Sequence, residues 1–525
     1  MPFSHTRAAC AAAGAVCAFL IVGCSSQQSS SPAIAAKIGG IDGQLNQQHF
    51  DHLQQENYSH VTENAFRSAR QEPLSTFSAD VNTASYSNVR RFLNEGKLPP
   101  KDAVLLAELV NYFPYSYPQP DGDDPVSLTL DIAPCPWQAK HNLVRIGVKA
   151  REVSAAEVPP RNLVFLIDTS GSMADQTRLP LVKTSLRMLI DQLRPSDFVS
   201  IVTYAGDAAL KLPPTPGRLK GRIRQVVDAL DANGSTNGGG GIRMAYDQAR
   251  LNFIEGGVNR VILCTDGDFN VGTTSEGELQ RLIEQQRTSH VFLTVLGFGM
   301  GNLKNTTLEL LANHGNGFYA YIDSEAEAHK VFVEQAGTLM TVAKDVKFQV
   351  DFNPNLVSAY RLIGYENRLL NNEDFKNDKK DAGDMGSGHT VTALYEIVPV
   401  GVPVDVPTTE PSKYAAPSQS VARAGEWLTV RMRYKHPESE KSLELRKPLP
   451  ADAIERQPGG DFRFAAAVAQ FGLLLRDSAF KGTANYAAVL KDAEASRGPD
   501  AAGHRTEFLQ LVRQAKKLQG LSEKE

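Results

Sequence analysis

Short apolar runs separated by amphipathic stretches fill the middle of the chain, and their spacing sets its architecture. Residues 162–167, 198–204, 260–264 and 291–296 are compact and rich in β-branched side chains, with the length of buried strands. Between and after them, residues 179–193, 219–230, 242–253, 276–286 and 302–313 repeat apolar side chains at helical spacing. The alternation over residues 161–340 predicts an α/β, Rossmann-like doubly wound domain: a largely parallel sheet with helices on both faces. Ligands of such sheets sit beyond the carboxyl ends of the strands, so function is expected in the loops after Ile167 and Cys264.

The flanks have a different texture. Residues 71–160 read as a smaller α+β region, with strands at 76–81 and 126–132 and helices at 85–93 and 103–113. From 341 to 525 the pattern is first β-rich, with strands at 346–352, 358–363, 390–398 and 426–434 and a polar loop over 371–388. It becomes helical from Asp461. Phe464, Val468, Phe471 and Leu475 share one face, and Phe508, Leu511, Val512, Ala515 and Leu518 share another. A membrane surface or a partner helix could use such faces, but the first stretch carries too few basic residues to look interfacial, and both are expected to pack in a core.

The first 23 residues read as a signal peptide. Arg7 gives a short positive region, and the apolar run over 8–22 is too short to span a bilayer core. Its end, Ile21-Val22-Gly23-Cys24, resembles the bacterial lipobox, in which the cysteine is lipidated and becomes the first residue of the mature protein. An ordinary secretory signal with a chance cysteine is the alternative. Ser25 follows Cys24 where lipoproteins kept in the inner membrane often carry Asp, so the resemblance implies an outer-membrane destination in a Gram-negative cell. Residues 24–70, rich in Ser and Gln, are expected to form a flexible tether, part of which, 45–58, has the pattern of a short polar helix.

Composition narrows the function classes. The chain of 525 residues is 42% hydrophobic and 22% charged, which excludes disorder throughout. With 55 Lys+Arg against 59 Asp+Glu the net charge is only −4, and no overall field recommends nucleic acid. An extracytoplasmic location removes the ATP pool, and neither nucleotide-binding glycine motif is present. Of the five cysteines only Cys135 and Cys264 lie outside the N-terminal segment, and they are expected to be unpaired.

The chemistry is carried by oxygen. The strand over 162–167 runs into Asp168-Thr169-Ser170-Gly171-Ser172, which puts three oxygen-bearing side chains at alternate positions of one tight loop. Hydroxyls, carboxylates and water suit a hard cation such as Mg2+, which prefers six oxygens. Other loops supply two more donors: Thr236, in the glycine-rich stretch before a helix, and Asp266, directly after a buried strand. The glycines at 238–241 are expected to let the backbone come close to the metal loop. The acidic loops at 121–124 and 373–384 lack the EF-hand ladder and read as solvated.

The ordered set Asp168-x-Ser170-x-Ser172, Thr236 and Asp266-Gly267 on a βα alternation resembles the metal-ion-dependent adhesion site of von Willebrand factor type A (VWA) domains. By that resemblance Ser170, Ser172 and Thr236 bind Mg2+ or Mn2+ directly. Asp168 and Asp266 supply charge and orient waters, and one position stays open for an acidic residue of a protein partner. The flanks, with Phe77-Ser78-Ala79-Asp80-Val81-Asn82-Thr83-Ala84-Ser85-Tyr86 and Tyr360-Arg361-Leu362-Ile363-Gly364-Tyr365, resemble a bacterial lipoprotein family with a central VWA domain. That family more often carries Asp where this chain has Asn82, a departure that weakens the case for an ion-binding role in that segment. The resemblance implies a membrane-anchored envelope protein that binds a protein partner without catalysis. The alternatives are a metal-dependent hydrolase, for which no general base or nucleophile is evident, and an envelope scaffold with a vestigial metal loop.

Overall fold

A computed structural model describes residues 58–154, 156–233, 238–267, 276–299, 305–380, 382–406 and 425–520. In chain order, β1 (Arg67–Ser68) and β2 (Leu74–Ser78) lead to helices α1 (Ala84–Asn94) and α2 (Leu106–Asn111), then to β3 (Val126–Pro134) and β4 (Asn142–Ala150). The alternating domain follows with β5 (Arg161–Asp168), α3 (Leu179–Gln192), β6 (Phe198–Tyr204), β7 (Ala208–Pro216), α4 (Lys220–Asp228) and α5 (Gly238–Leu251). It continues with β8 (Val258–Thr265), α6 (Glu276–Arg287), β9 (Phe292–Phe298), α7 (Asn305–His314), β10 (Tyr319–Ile322) and α8 (Glu325–His329). After it come β11 (Thr341–Phe352), β12 (Val357–Ile363), β13 (Gly383–Gly386), β14 (Thr390–Pro399), β15 (Glu426–Lys435) and β16 (Ser442–Pro450). Three helices, α9 (Gly460–Leu475), α10 (Tyr486–Ala495) and α11 (His504–Leu518), complete the described chain.

The central sheet has the order β10-β9-β8-β5-β6-β7, parallel except for β7, which pairs antiparallel with β6 at one edge. Every residue of β5 and β8 is buried, because helices cover both faces. Alternate side chains therefore serve two cores: Leu163, Phe165 and Ile167 pack with α3 and α4, while Val164 and Leu166 pack with α5, α6 and α7. Each such aliphatic side chain contributes about 1.5–3 kcal/mol when fully buried. The doubly wound architecture expected for this region is the one observed.

The flanks are built together. Strand β4 pairs with β3 on one side and with β14, some 240 residues later, on the other, giving the sheet β1-β12-β14-β4-β3. Strand β2 pairs with β11 of a second sheet, ordered β13-β11-β15-β16. The two sheets share one core that includes Phe77, Val144, Ile146, Phe348, Tyr395 and Met432. The α/β domain is thus an insertion between β4 and β11 of a β-sandwich whose halves lie on either side of it in the chain. Helices α1, α2, α9, α10 and α11 pack in a further core around Phe113, Phe464, Phe471 and Phe508, which accounts for the apolar helix faces except at Leu518, which is exposed. Among the described residues no helix is long and apolar enough to cross a membrane.

Several expectations shift. The stretch assigned to a tether as far as residue 70 is folded over its last part: Phe66 and Ala69 are buried, β1 pairs with β12, and the Asn64 amide donates to the carbonyls of Leu362 and Gly364. Its polar composition hides this, because backbone and amide hydrogen bonds hold it in place of an apolar stripe. The expected polar loop at 371–388 contains β13, and the helix expected at 103–113 is regular only over Leu106–Asn111. The polar helix proposed for 45–58 falls outside the described residues except at its last position, and Cys24 lies outside them too. Cys135 and Cys264 are both buried and unpaired, as expected.

Candidate metal centre

Strand β5 ends in Asp168, which turns the chain by binding its own backbone. Its Oδ1 accepts the Ser170 N–H at 2.8 Å, a short-range turn typical of Asp at a strand end. The 3-10 turn Gly171–Ala174 follows, held by the fully buried Met173 and leaving Ser172 at the surface. The Ser170 and Ser172 hydroxyls are 3.0 Å apart. Thr169 ties the loop to its neighbours: its N–H donates to the Tyr204 carbonyl at 2.9 Å, and its own carbonyl accepts the Asn233 N–H at 2.8 Å. The chain that leads toward residue 236 therefore starts beside the Asp168 loop. Thr236 itself lies outside the described residues.

From β8 the Thr265 hydroxyl reaches toward Asp168 Oδ2 at 3.5 Å, and Asp266 follows at once. Gly267 then takes a left-handed conformation, φ 102°, that an L side chain would strain. Asp168 and Asp266 are 0% and 1% exposed. Burial pushes the Asp168 carboxyl up to about 6 against the opposing pull of the Ser170 hydrogen bonds, and the nearby Asp266 charge adds to the rise. Two buried carboxylates and two hydroxyls at the carboxyl ends of adjacent parallel strands form an all-oxygen donor set, and such a set fits a hard divalent cation. A cation would offset the charge that burial makes costly.

Arg178 is a neighbour that motif spacing does not reveal. It stands just before α3, with Nη1 2.9 Å from Asp266 Oδ2, and it donates to the Ser172 carbonyl at 2.6 Å. Its stem crosses Gly299, at the end of β9, where a Cβ would come within 2.3 Å of Arg178 Cγ. Gly241 also has a steric role. A Cβ there would meet Tyr204 Cβ at 2.8 Å and Leu166 Cδ1 at 3.0 Å, so the glycine-rich start of α5 lets that helix settle on β5 and β6.

The von Willebrand factor type A domain family matches residues 162–335, which contain this centre. A family described as "von Willebrand factor" matches 52–145, and one described as "Uncharacterized protein YfbK, C-terminal" matches 337–518. "Uncharacterized protein YfbK" of Escherichia coli (strain K12) is 41% identical over 479 residues, spanning 89% of this chain and 82% of that protein. The chain belongs to the YfbK family. It is a VWA-domain protein whose VWA domain is followed by the YfbK C-terminal region. Inter-alpha-trypsin inhibitor heavy chain H3 of Homo sapiens is 27% identical over 261 residues, covering 46% of this chain and 29% of that protein. Among solved structures, a von Willebrand factor type A protein from Catenulispora acidiphila aligns at 18% identity with a TM-score of 0.40, over 76% of this chain and 92% of that one.

Proposed function

We propose that this chain is a lipid-anchored cell-envelope protein that captures an acidic group of a protein partner through Mg2+ or Mn2+. The observation that carries the reading is the meeting of Asp168, Ser170 and Ser172 after β5 with Asp266 after β8, beside the loop that leads to Thr236. In this reading Ser170, Ser172 and Thr236 hold the ion by their hydroxyls, and Asp168 and Asp266 supply charge and orient its waters. Neutral hydroxyl ligands leave the ion electrophilic, so a carboxylate supplied by the partner completes its shell. The exposure of Ser172 gives that carboxylate a way in. Acylation of Cys24 supplies the anchor, on the outer membrane in a Gram-negative cell, and several acyl chains hold more firmly than one.

Calorimetric titration of the purified full chain tests the metal: Mg2+ or Mn2+ binds, and Asp168→Ala abolishes binding. Pull-down from envelope extract with and without chelator then identifies the partner, and Cys24→Ala releases the chain from the membrane fraction. Absence of metal binding, or binding that survives Asp168→Ala, removes the reading.

A further inference from the structure

A second group of carboxylates lies away from the VWA centre, beside the amino end of β10. Asp80 follows β2, Glu108 belongs to α2 and Glu309 to α7, and one oxygen from each lies within 4.8 Å of the others. Asp80 and Glu108 are 2% and 1% exposed, and the Glu309 side chain is 12% exposed. Among the described residues one cation answers them: Arg368 Nη2 lies 3.0 Å from Asp80 Oδ1 and 3.1 Å from Glu309 Oε1. Three carboxylates and one guanidinium leave two negative charges uncompensated in a buried space, a cost that proteins meet by protonation, by pairing or by a metal ion.

The hydrogen bonds leave specific atoms over. Asp80 Oδ1 takes the Asn82 N–H and Arg368, Glu108 Oε2 takes the Ser85 N–H at 2.7 Å, and Glu309 Oε1 takes Asn82, Asn367 and Arg368. Among the described residues, Asp80 Oδ2 and Glu108 Oε1 are buried without a hydrogen-bond partner. An independent group stands beside them. The Tyr319 hydroxyl, on a fully buried side chain, also has no hydrogen-bond partner, and after burial Glu108 is the strongest influence raising its titration. Each of these buried oxygens calls for an explanation, and a single bound ion would account for the two carboxylate oxygens together. A cavity of about 310 Å³, lined by Glu309, Asn305, Asn367 and Leu105, reaches one of the three carboxylates.

From these oxygens we infer a second cation site, in which Asp80, Glu108 and Glu309 bind one divalent ion of the Ca2+ class. The donors are all oxygen, as hard cations require. Ca2+ takes roughly six to eight oxygens at about 2.3–2.6 Å in a flexible shell, which suits carboxylates brought together from three separate elements better than the near-octahedral Mg2+ shell. An ion of charge +2 brings the group to neutrality. Its three ligands come from the sandwich strand exit, the helical layer and the inserted domain, so the ion joins the VWA domain to its frame and does not need the VWA centre to be loaded.

The test uses the full chain carrying Asp168→Ala and Asp266→Ala, so that the first centre is silent, after treatment with chelator. Titration with CaCl2 is expected to give one site by calorimetry and a rise in the unfolding temperature. Adding Glu108→Gln should weaken Ca2+ binding at least about tenfold and remove the thermal response. Glu309→Gln serves the same purpose should Glu108→Gln not fold. The inference is overturned if the doubly substituted chain neither binds Ca2+ nor gains stability from it, the result expected of carboxylates that merely share a proton. It is equally overturned if both effects persist in Glu108→Gln or Glu309→Gln.

Discussion

Asp168→Asn separates the proposed function of the candidate metal centre from its stability. The wild-type carboxyl is buried and titrates near 6, where an ordinary aspartate titrates at 3.8. At about 1.36 kcal/mol per pH unit, holding it ionised at pH 7 without a cation costs the fold about 3 kcal/mol. The sign follows from proton binding. Between about pH 4 and 6 the folded chain holds a proton that the unfolded chain has released, so this group's contribution becomes less favourable as pH rises through that window and is level above it. Asparagine is isosteric, carries no charge and keeps an oxygen for the Ser170 N–H. In chelator at pH 7 the variant should therefore be more stable than wild type, by up to about 3 kcal/mol in urea denaturation. The gap should shrink below about 1 kcal/mol at pH 4. With Mg2+ at a hundredfold excess over its Kd, the wild type should regain about 2.7 kcal/mol and the variant nothing. A variant less stable than wild type in chelator at pH 7 would refute the reasoning, since burial of an unpaired charge would then not be the dominant effect.

Three further outcomes are expected. Arg178→Gln should tighten Mg2+ binding by about tenfold, a difference of ~1.4 kcal/mol, because the guanidinium beside Asp266 no longer competes for that carboxylate; weaker binding by calorimetry would mean that Arg178 supports the centre. Asp197 is buried, which raises its titration, but hydrogen bonds from Arg161 and Arg194 overcome this and hold it down at about 2. Asp197→Asn should lose ~2 kcal/mol at pH 7, a contribution present above 3.8 and lost as pH falls through about 2, so urea curves that still differ as much at pH 2 would contradict it. Gly241→Ala drives a methyl group into Tyr204 and Leu166 and should cost about 1–3 kcal/mol; an unchanged unfolding temperature would show that α5 can shift at no cost.

The central domain is readable from the chain because its strands are buried on both faces and separated by helices of ordinary length, so local pattern and tertiary role agree. Among the strands that escape the reading, which include the buried β4 and β10, two have a burial set from outside. β7 contains Leu212-Pro213-Pro214 and survives as a strand only at the sheet edge. β16 exposes Glu444, Arg446 and Lys447 among its residues and is defined by pairing with β15. The joining of β4 to β14 leaves no local trace, because register between strands so far apart is a property of the assembled sandwich. The sites divide in the same way. Asp168, Ser170 and Ser172 sit within one loop and announce themselves by spacing, and Asp266 by its place after a buried run. Asp80, Glu108, Glu309 and Arg368 are scattered over nearly 300 positions, and only folding makes them neighbours.

Insertion of the VWA domain between β4 and β11 dictates an order of events during synthesis. The β3–β4 hairpin emerges early, but the outer edge of β4 waits for residues 390–397, and β2 waits for β11. The α/β domain, whose strands pair with partners inside its own span, can complete itself in that interval, whereas the sandwich closes last. Until it does, two strand edges stand open to foreign partners. A chain that stops elongating after the VWA domain would display a finished α/β domain on an unfinished frame, a species marked for aggregation or proteolysis.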